Sequence, residues 1–120
     1  MFTLQVFYLS NKSFSNLFIG LDKTLCGGHG IAVDATTLKV CPSTSKLCEV
    51  FFKQGKVNDI QVNTCSEYCS AHGLKCVKSY QLHEYDHCLD LHNMPPDMLQ
   101  YTSCDQPDDV KYGIGCVCGK

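Results

Sequence analysis

The sequence predicts a small disulfide-rich α+β domain in which a short capped helix packs on an antiparallel β-sheet, behind a β-rich N-terminal half. Three observations predict it. Ten cysteines fall within 120 residues, a density typical of disulfide-stapled extracellular modules. The N-terminal half consists of short apolar runs punctuated by glycine and proline. Asn63 to Gly73 carries a complete helix start and stop. A chain of this length buries a modest core unaided, so the cysteines supplement a core rather than replace one. Their even number allows every thiol to pair. No proline-rich linker, low-complexity stretch or internal repeat divides the chain. It is therefore expected to be a single domain, 1–120, with a β-rich preface over 1–62 and a cysteine-rich module over 63–120.

In chain order, Phe2 to Leu9 reads as a first strand, with Phe2, Leu4, Val6 and Tyr8 on one face and Thr3, Gln5 and Phe7 on the other. This stretch has no basic n-region and no small-residue cleavage site, so it is not read as a signal peptide. Asn11-Lys12-Ser13 supplies turn residues before a second strand, Asn16 to Leu21. The same tripeptide is an N-glycosylation sequon on Asn11, usable on the secretory route. Further strands are expected over Gly30–Val33 with Leu38–Val40, and over Cys48–Phe52, separated by Gly27-Gly28, Pro42 and Gly55. Cys26, Cys41 and Cys48 sit at the edges of these segments.

The helix signal is Asn63-Thr64-Cys65-Ser66-Glu67-Tyr68-Cys69-Ser70-Ala71-His72-Gly73. Thr64 can cap the amide of Glu67, the Glu67 carboxylate can reach back to the amide of Thr64, and Gly73 can take the left-handed C′ position. Cys65 and Cys69, four apart, share one face with Tyr68 beside them. A two-turn helix is marginal in water, which is a physical reason to staple it. Leu74 to Tyr80 then alternates as a strand, and Cys88-Leu89-Asp90-Leu91 follows a polar stretch as a second.

Helix, strand and strand with cysteines at Cys65, Cys69, Cys76 and Cys88 resemble the PAN/apple family of extracellular modules over about residues 60 to 91. The Cys65-x3-Cys69 pair matches that family's helix, Cys76 with Tyr80 its first strand, and Cys88-Leu89-Asp90-Leu91 its second. The resemblance implies a helix cradled by an antiparallel sheet and the pairs Cys65–Cys88 and Cys69–Cys76. The closing Cys116-Val117-Cys118-Gly119 is instead similar to the end of WSC-type carbohydrate-binding modules, which also begin with a Cys-x3-Cys helix. The N-terminal preface matches neither family.

One motif competes for a catalytic reading. His83-Glu84-Tyr85-Asp86-His87 fits H-E-x-x-H, in which a helix presents two histidines to Zn²⁺ and the glutamate activates the bound water. His92 falls five residues after His87 rather than six, and Asp90 stands where a turn glycine is needed. The flanking Ser79-Tyr80-Gln81-Leu82 is only weakly apolar, so a solvated histidine-rich loop is the favoured reading. Zinc held by cysteines is the second competitor, but structural zinc sites use Cys-x2-Cys knuckles, which are absent. In an extended segment Cys116 and Cys118 point to one side, where both can form bridges. All ten cysteines, including Cys104, are therefore assigned to disulfides. Cys26-Gly27-Gly28-His29-Gly30 reads as a tight turn, and Asp105, Asp108 and Asp109 as an exposed acidic turn.

The formal net charge of −2, without a Lys/Arg cluster, offers no footprint for nucleic acid. No run approaches the roughly 20 apolar residues of a membrane span, so membrane insertion is not expected. The expected function is that of a secreted, extracellular recognition module for a protein or glycan, not an enzyme and without a cofactor. The alternatives are a small secreted zinc metalloprotease, with His83 and His87 as ligands and Glu84 as base, and a cysteine–zinc structural domain.

Overall fold

The computed structural model describes residues 23–84, 86–109 and 111–120. The expected strands Phe2–Leu9 and Asn16–Leu21 and the sequon at Asn11 lie outside the described residues. The elements are α1 (Leu25–Gly28), β1 (Thr37–Val40), β2 (Leu47–Phe52), β3 (Gly55–Val57), β4 (Ile60–Val62), α2 (Cys65–Ala71), β5 (Lys75–Gln81), β6 (Tyr101–Thr102) and β7 (Ile114–Gly119). An antiparallel sheet runs in the order β1-β2-β7-β5-β6. Strands from the preface and from the cysteine-rich half thus share one sheet.

The central strand is the C-terminal β7, and its composition explains the position. Ile-Gly-Cys-Val-Cys-Gly carries no charge, and all six residues are buried. A strand covered on both faces needs such a sequence. It pairs with β2 through Cys48 opposite Cys118 and with β5 through Cys76 opposite Cys118. Extra residues at Leu38 and Val77 shift the register of β1 and β5, and both side chains are exposed.

The predicted helix cap is present in full. Thr64 Oγ1 accepts from the Glu67 amide at 3.1 Å, and Glu67 Oε1 accepts from the Thr64 amide at 3.1 Å. Gly73 follows the C-cap at φ +75°, where a side chain would be strained. Cys65, Tyr68 and Cys69 form the buried face of α2. Tyr68 stacks on Phe52 with ring centroids 4.8 Å apart and shares a 2.6 Å hydrogen bond with Thr37 Oγ1. Burial pushes its phenol up to about 12.

Five disulfides use all ten cysteines: Cys26–Cys48, Cys41–Cys88, Cys65–Cys116, Cys69–Cys118 and Cys76–Cys104. The pairs implied by the PAN/apple resemblance, Cys65–Cys88 and Cys69–Cys76, are not those found. Cys65 and Cys69 share a core with Cys116 and Cys118, whereas Cys88 packs in a separate cluster with Cys41.

Three further expectations are corrected. Gly30–Val33 is not a strand, because the Ile31 amide closes onto Cys26 O at 3.0 Å at the end of the single turn of α1. Cys88–Leu91 is a loop: Asp90 holds the His92 amide at 3.1 Å, and Leu89 donates to a side chain rather than to a ladder. Asp108 is only 8 % exposed, and its carboxylate accepts from the Gln54 amide, so it ties its segment to the turn between β2 and β3 instead of lying in an exposed acidic turn. A hairpin that the sequence reading missed joins β3 to β4 through Asn58 and Asp59, both at positive φ. Val57-Asn58-Asp59-Ile60 carried its signal, since Asn and Asp tolerate that region in two-residue turns.

Candidate functional site

Alternation along β2 divides the sheet into two faces. Cys48, Val50 and Phe52 join the core beneath α2, while Phe51 joins a second cluster with Cys41, Tyr80 and Leu82. Cys88, Leu89 and Tyr101 pack onto that second cluster. The segment following β5 therefore covers the face opposite the helix, and the Cys41–Cys88 bridge fastens it there.

Glu49, between Cys48 and Val50, is fully buried on the second face. Its carboxylate accepts from the Tyr80 hydroxyl, and both of its oxygens lie 3.0 Å from the Leu89 amide. Burial raises the pKa of Glu49 above the ordinary carboxylate value; the bonds from Tyr80 and Leu89 and the charge of Lys39 offset this only in part. Burial likewise raises the Tyr80 phenol, aided by the hydrogen bond to Glu49 and its charge. The folded state therefore holds the Glu49 proton more tightly than the unfolded chain does. Its stabilising contribution is complete below the unfolded value, near 4.5, and is lost as pH rises through the folded value. Glu49→Gln should remove this downward slope from melting temperatures recorded across increasing pH. A slope unchanged by the substitution would assign it to other groups.

A groove of about 380 Å³ opens over Phe51 and Leu82 of this second cluster. Phe51 and Leu82 are its buried apolar lining, joined by Tyr112, which is 36 % exposed. Lys39, His83, Glu84 and Asp86 give it a polar rim of mixed charge. Lys39 places its ammonium 5.6 Å from the centre of the Phe51 ring, a cation–π arrangement. Lys39 projects from β1, Phe51 from β2, and the remaining rim from the segment that the disulfide anchors. Apolar surface bordered by a few polar groups is the usual composition of a ligand site.

The H-E-x-x-H segment forms part of this rim. His83 and Glu84 line the groove, whereas His87 is not among its lining residues. The residues flanking Tyr85 are not helical: the Asp86 carboxylate accepts from the His83 amide, and the Asp86 amide donates to His83 O at 3.3 Å. His83 and His87 therefore do not share the helix face that the protease motif requires. Among the described residues, the side-chain groups close enough to chelate a metal are Cys65 with Cys69 and Cys116, and Cys41 with Glu49 and Cys88. Their cysteines are all oxidised, so no thiolate remains for the cysteine–zinc alternative.

Sequence reasoning did not identify Lys39, Glu49, Phe51, Leu82 or Tyr112 as site residues. The alternation Leu47-Cys48-Glu49-Val50 places Glu49 on what reads as a solvent face, and nothing local reveals the covering segment. Among the described residues no helix is long and apolar enough to cross a membrane. No family model, curated protein or solved structure matches this chain.

Proposed function

We propose that the chain is an extracellular recognition module that binds a protein or carbohydrate ligand in the groove over Phe51 and Leu82, without catalysing a reaction. The observation that carries the reading is the composition of that groove: apolar rings and a leucine bordered by Lys39, His83, Glu84 and Asp86. The Cys41–Cys88 bridge packs in the same cluster as Phe51 and Leu82 and anchors the segment that carries the rim, which limits the ordering cost of binding. Five disulfides also suit an oxidising compartment, where such bonds persist.

The test is to probe the native, oxidised chain against arrayed glycans and purified extracellular proteins, alongside Lys39→Glu and Tyr112→Ala. Saturable binding is expected to at least one ligand. Each substitution should weaken it by about tenfold or more, since aromatic and charged anchors dominate small interfaces. Lack of any saturable binding, or binding that ignores both substitutions, would refute this reading.

A further inference from the structure

Three of the five disulfides touch one another. Sequence spacing places their sulfurs: Cys65 and Cys69 share the buried face of α2, Cys116 and Cys118 share one face of β7, and Cys76 of β5 stands opposite Cys118. Cys76 Sγ lies 3.1 Å from Cys65 Sγ, and Cys116 Sγ lies 3.3 Å from Cys69 Sγ. Bonds and contacts therefore alternate along one row of sulfurs: Cys104–Cys76, then Cys65–Cys116, then Cys69–Cys118. The approaches within one element are longer, 3.9 Å between Cys65 and Cys69 and 3.8 Å between Cys116 and Cys118. Cys65, Cys69, Cys116 and Cys118 have no exposed surface, while Cys76 and Cys104 are half-buried, so the row has one end near solvent.

We propose that this row is a thiol–disulfide relay, which carries an exchange begun at Cys76–Cys104 to the buried Cys118. A monothiol of the glutathione class loses its proton to solvent, and its thiolate attacks Cys104 Sγ. A mixed disulfide forms there, and the electron pair of the broken bond goes to Cys76 Sγ. The Cys76 thiolate attacks Cys65 Sγ, forming Cys65–Cys76 and releasing Cys116. The Cys116 thiolate attacks Cys69 Sγ, forming Cys69–Cys116 and releasing Cys118, which is protonated from solvent. The incoming thiol is oxidised, the Cys118 sulfur is reduced, and the chain gives up one of its five internal bridges.

Burial sets both the speed and the end point. It disfavours the passing thiolates at Cys116 and Cys118, which makes the migration slow. A neutral thiol, in contrast, packs in a core as a small apolar group, so Cys118 is a favourable place for it to rest. The new pairs still fasten α2 to β5 and to β7. What loses its covalent tie is Cys104, at the start of the segment that carries Asp108. A reductant acting at the surface thus loosens that segment without unstapling the helix.

Two variants test the relay. Cys104→Ser leaves Cys76 unpaired at the head of the row, and Cys76→Ser leaves Cys104 unpaired and removes the contact with Cys65. Each oxidised chain is held at neutral pH, quenched with acid, unfolded, alkylated and mapped by tandem mass spectrometry. In Cys104→Ser the label should reach Cys118, with Cys65–Cys76 and Cys69–Cys116 as the new pairs. In Cys76→Ser it should stay on Cys104, with Cys65–Cys116 and Cys69–Cys118 intact. Absence of label from Cys118 in Cys104→Ser, or equal labelling of Cys118 in both variants, would overturn the proposal. If either variant does not fold, the folded parent chain treated with reduced glutathione decides. Glutathione on Cys104 with the alkyl label on Cys118 supports the relay, and any other pair of modified cysteines overturns it.

Discussion

Removing both bridges between α2 and β7 is expected to unfold the protein, whereas removing either alone costs about 2 kcal/mol. Cys65–Cys116 and Cys69–Cys118 close loops of sequence separation 51 and 49. The loops are nearly the same, because the cysteines are neighbours on one helix face and one strand face. With either bridge intact, the other closes only a ring of a few residues, worth about 2 kcal/mol in chain entropy. The last bridge between these two elements closes the longer loop, which the intact Cys76–Cys104 bridge shortens to roughly 20 residues, worth about 3 kcal/mol. Cys65→Ser with Cys116→Ser, or Cys69→Ser with Cys118→Ser, should therefore each lower stability by about 2 kcal/mol, and all four together by about 5 kcal/mol. The larger figure approaches the whole stability of a small domain. Urea denaturation of the three variants measures it. Equal and additive losses of about 3 kcal/mol per pair would show that the two loops constrain the unfolded chain independently.

Gly115→Ala should be the most damaging single-methyl insertion in the sheet. A Cβ at Gly115 would stand 2.1 Å from Cζ of Tyr80, inside the ring's own volume. The ring cannot step aside cheaply. Tyr80 is 2 % exposed, meets Phe51 and Tyr101 edge-on, and donates its hydroxyl to buried Glu49. Moving it would strip a hydrogen bond from a carboxylate that has no access to water. The expected loss is about 3 kcal/mol, at the upper end for overpacking. In a Tyr80→Ala background the same substitution should be nearly neutral, since the space it needs is then empty. A loss of the same size in both backgrounds would place the cost in the β7 backbone rather than in the contact with Tyr80.

The same pair shows why the second face was illegible in the sequence. Gly115 in a central strand looks like a weak point, and its reason is a ring that comes from β5. Glu49 resembles a solvent-facing residue of an amphipathic strand, yet it is buried because residues beyond β5 return over the sheet. The H-E-x-x-H match illustrates the converse. Its residue types are right for zinc chemistry, but Asp86 closes a turn on His83 where a helix would be required.

By itself the sequence determined the features that depend on neighbours within a few positions: the capped helix at Cys65–Ala71 with Gly73 beyond it, strands around Cys48–Phe52 and Leu74–Tyr80, and a chain in which all cysteines pair. Cap bonds, alternation and thiol count are local or compositional, so they can be read without a fold. Only the tertiary structure decided which cysteines meet, that the last strand lies in the middle of the sheet, and that Glu49, Cys41 and Cys88 converge. Those facts depend on contacts between residues from 22 positions apart, as in Cys26–Cys48, to 72 apart, as in Leu47 opposite Gly119, whose cost is the entropy of closing long loops. No local pattern records which closures the core rewards.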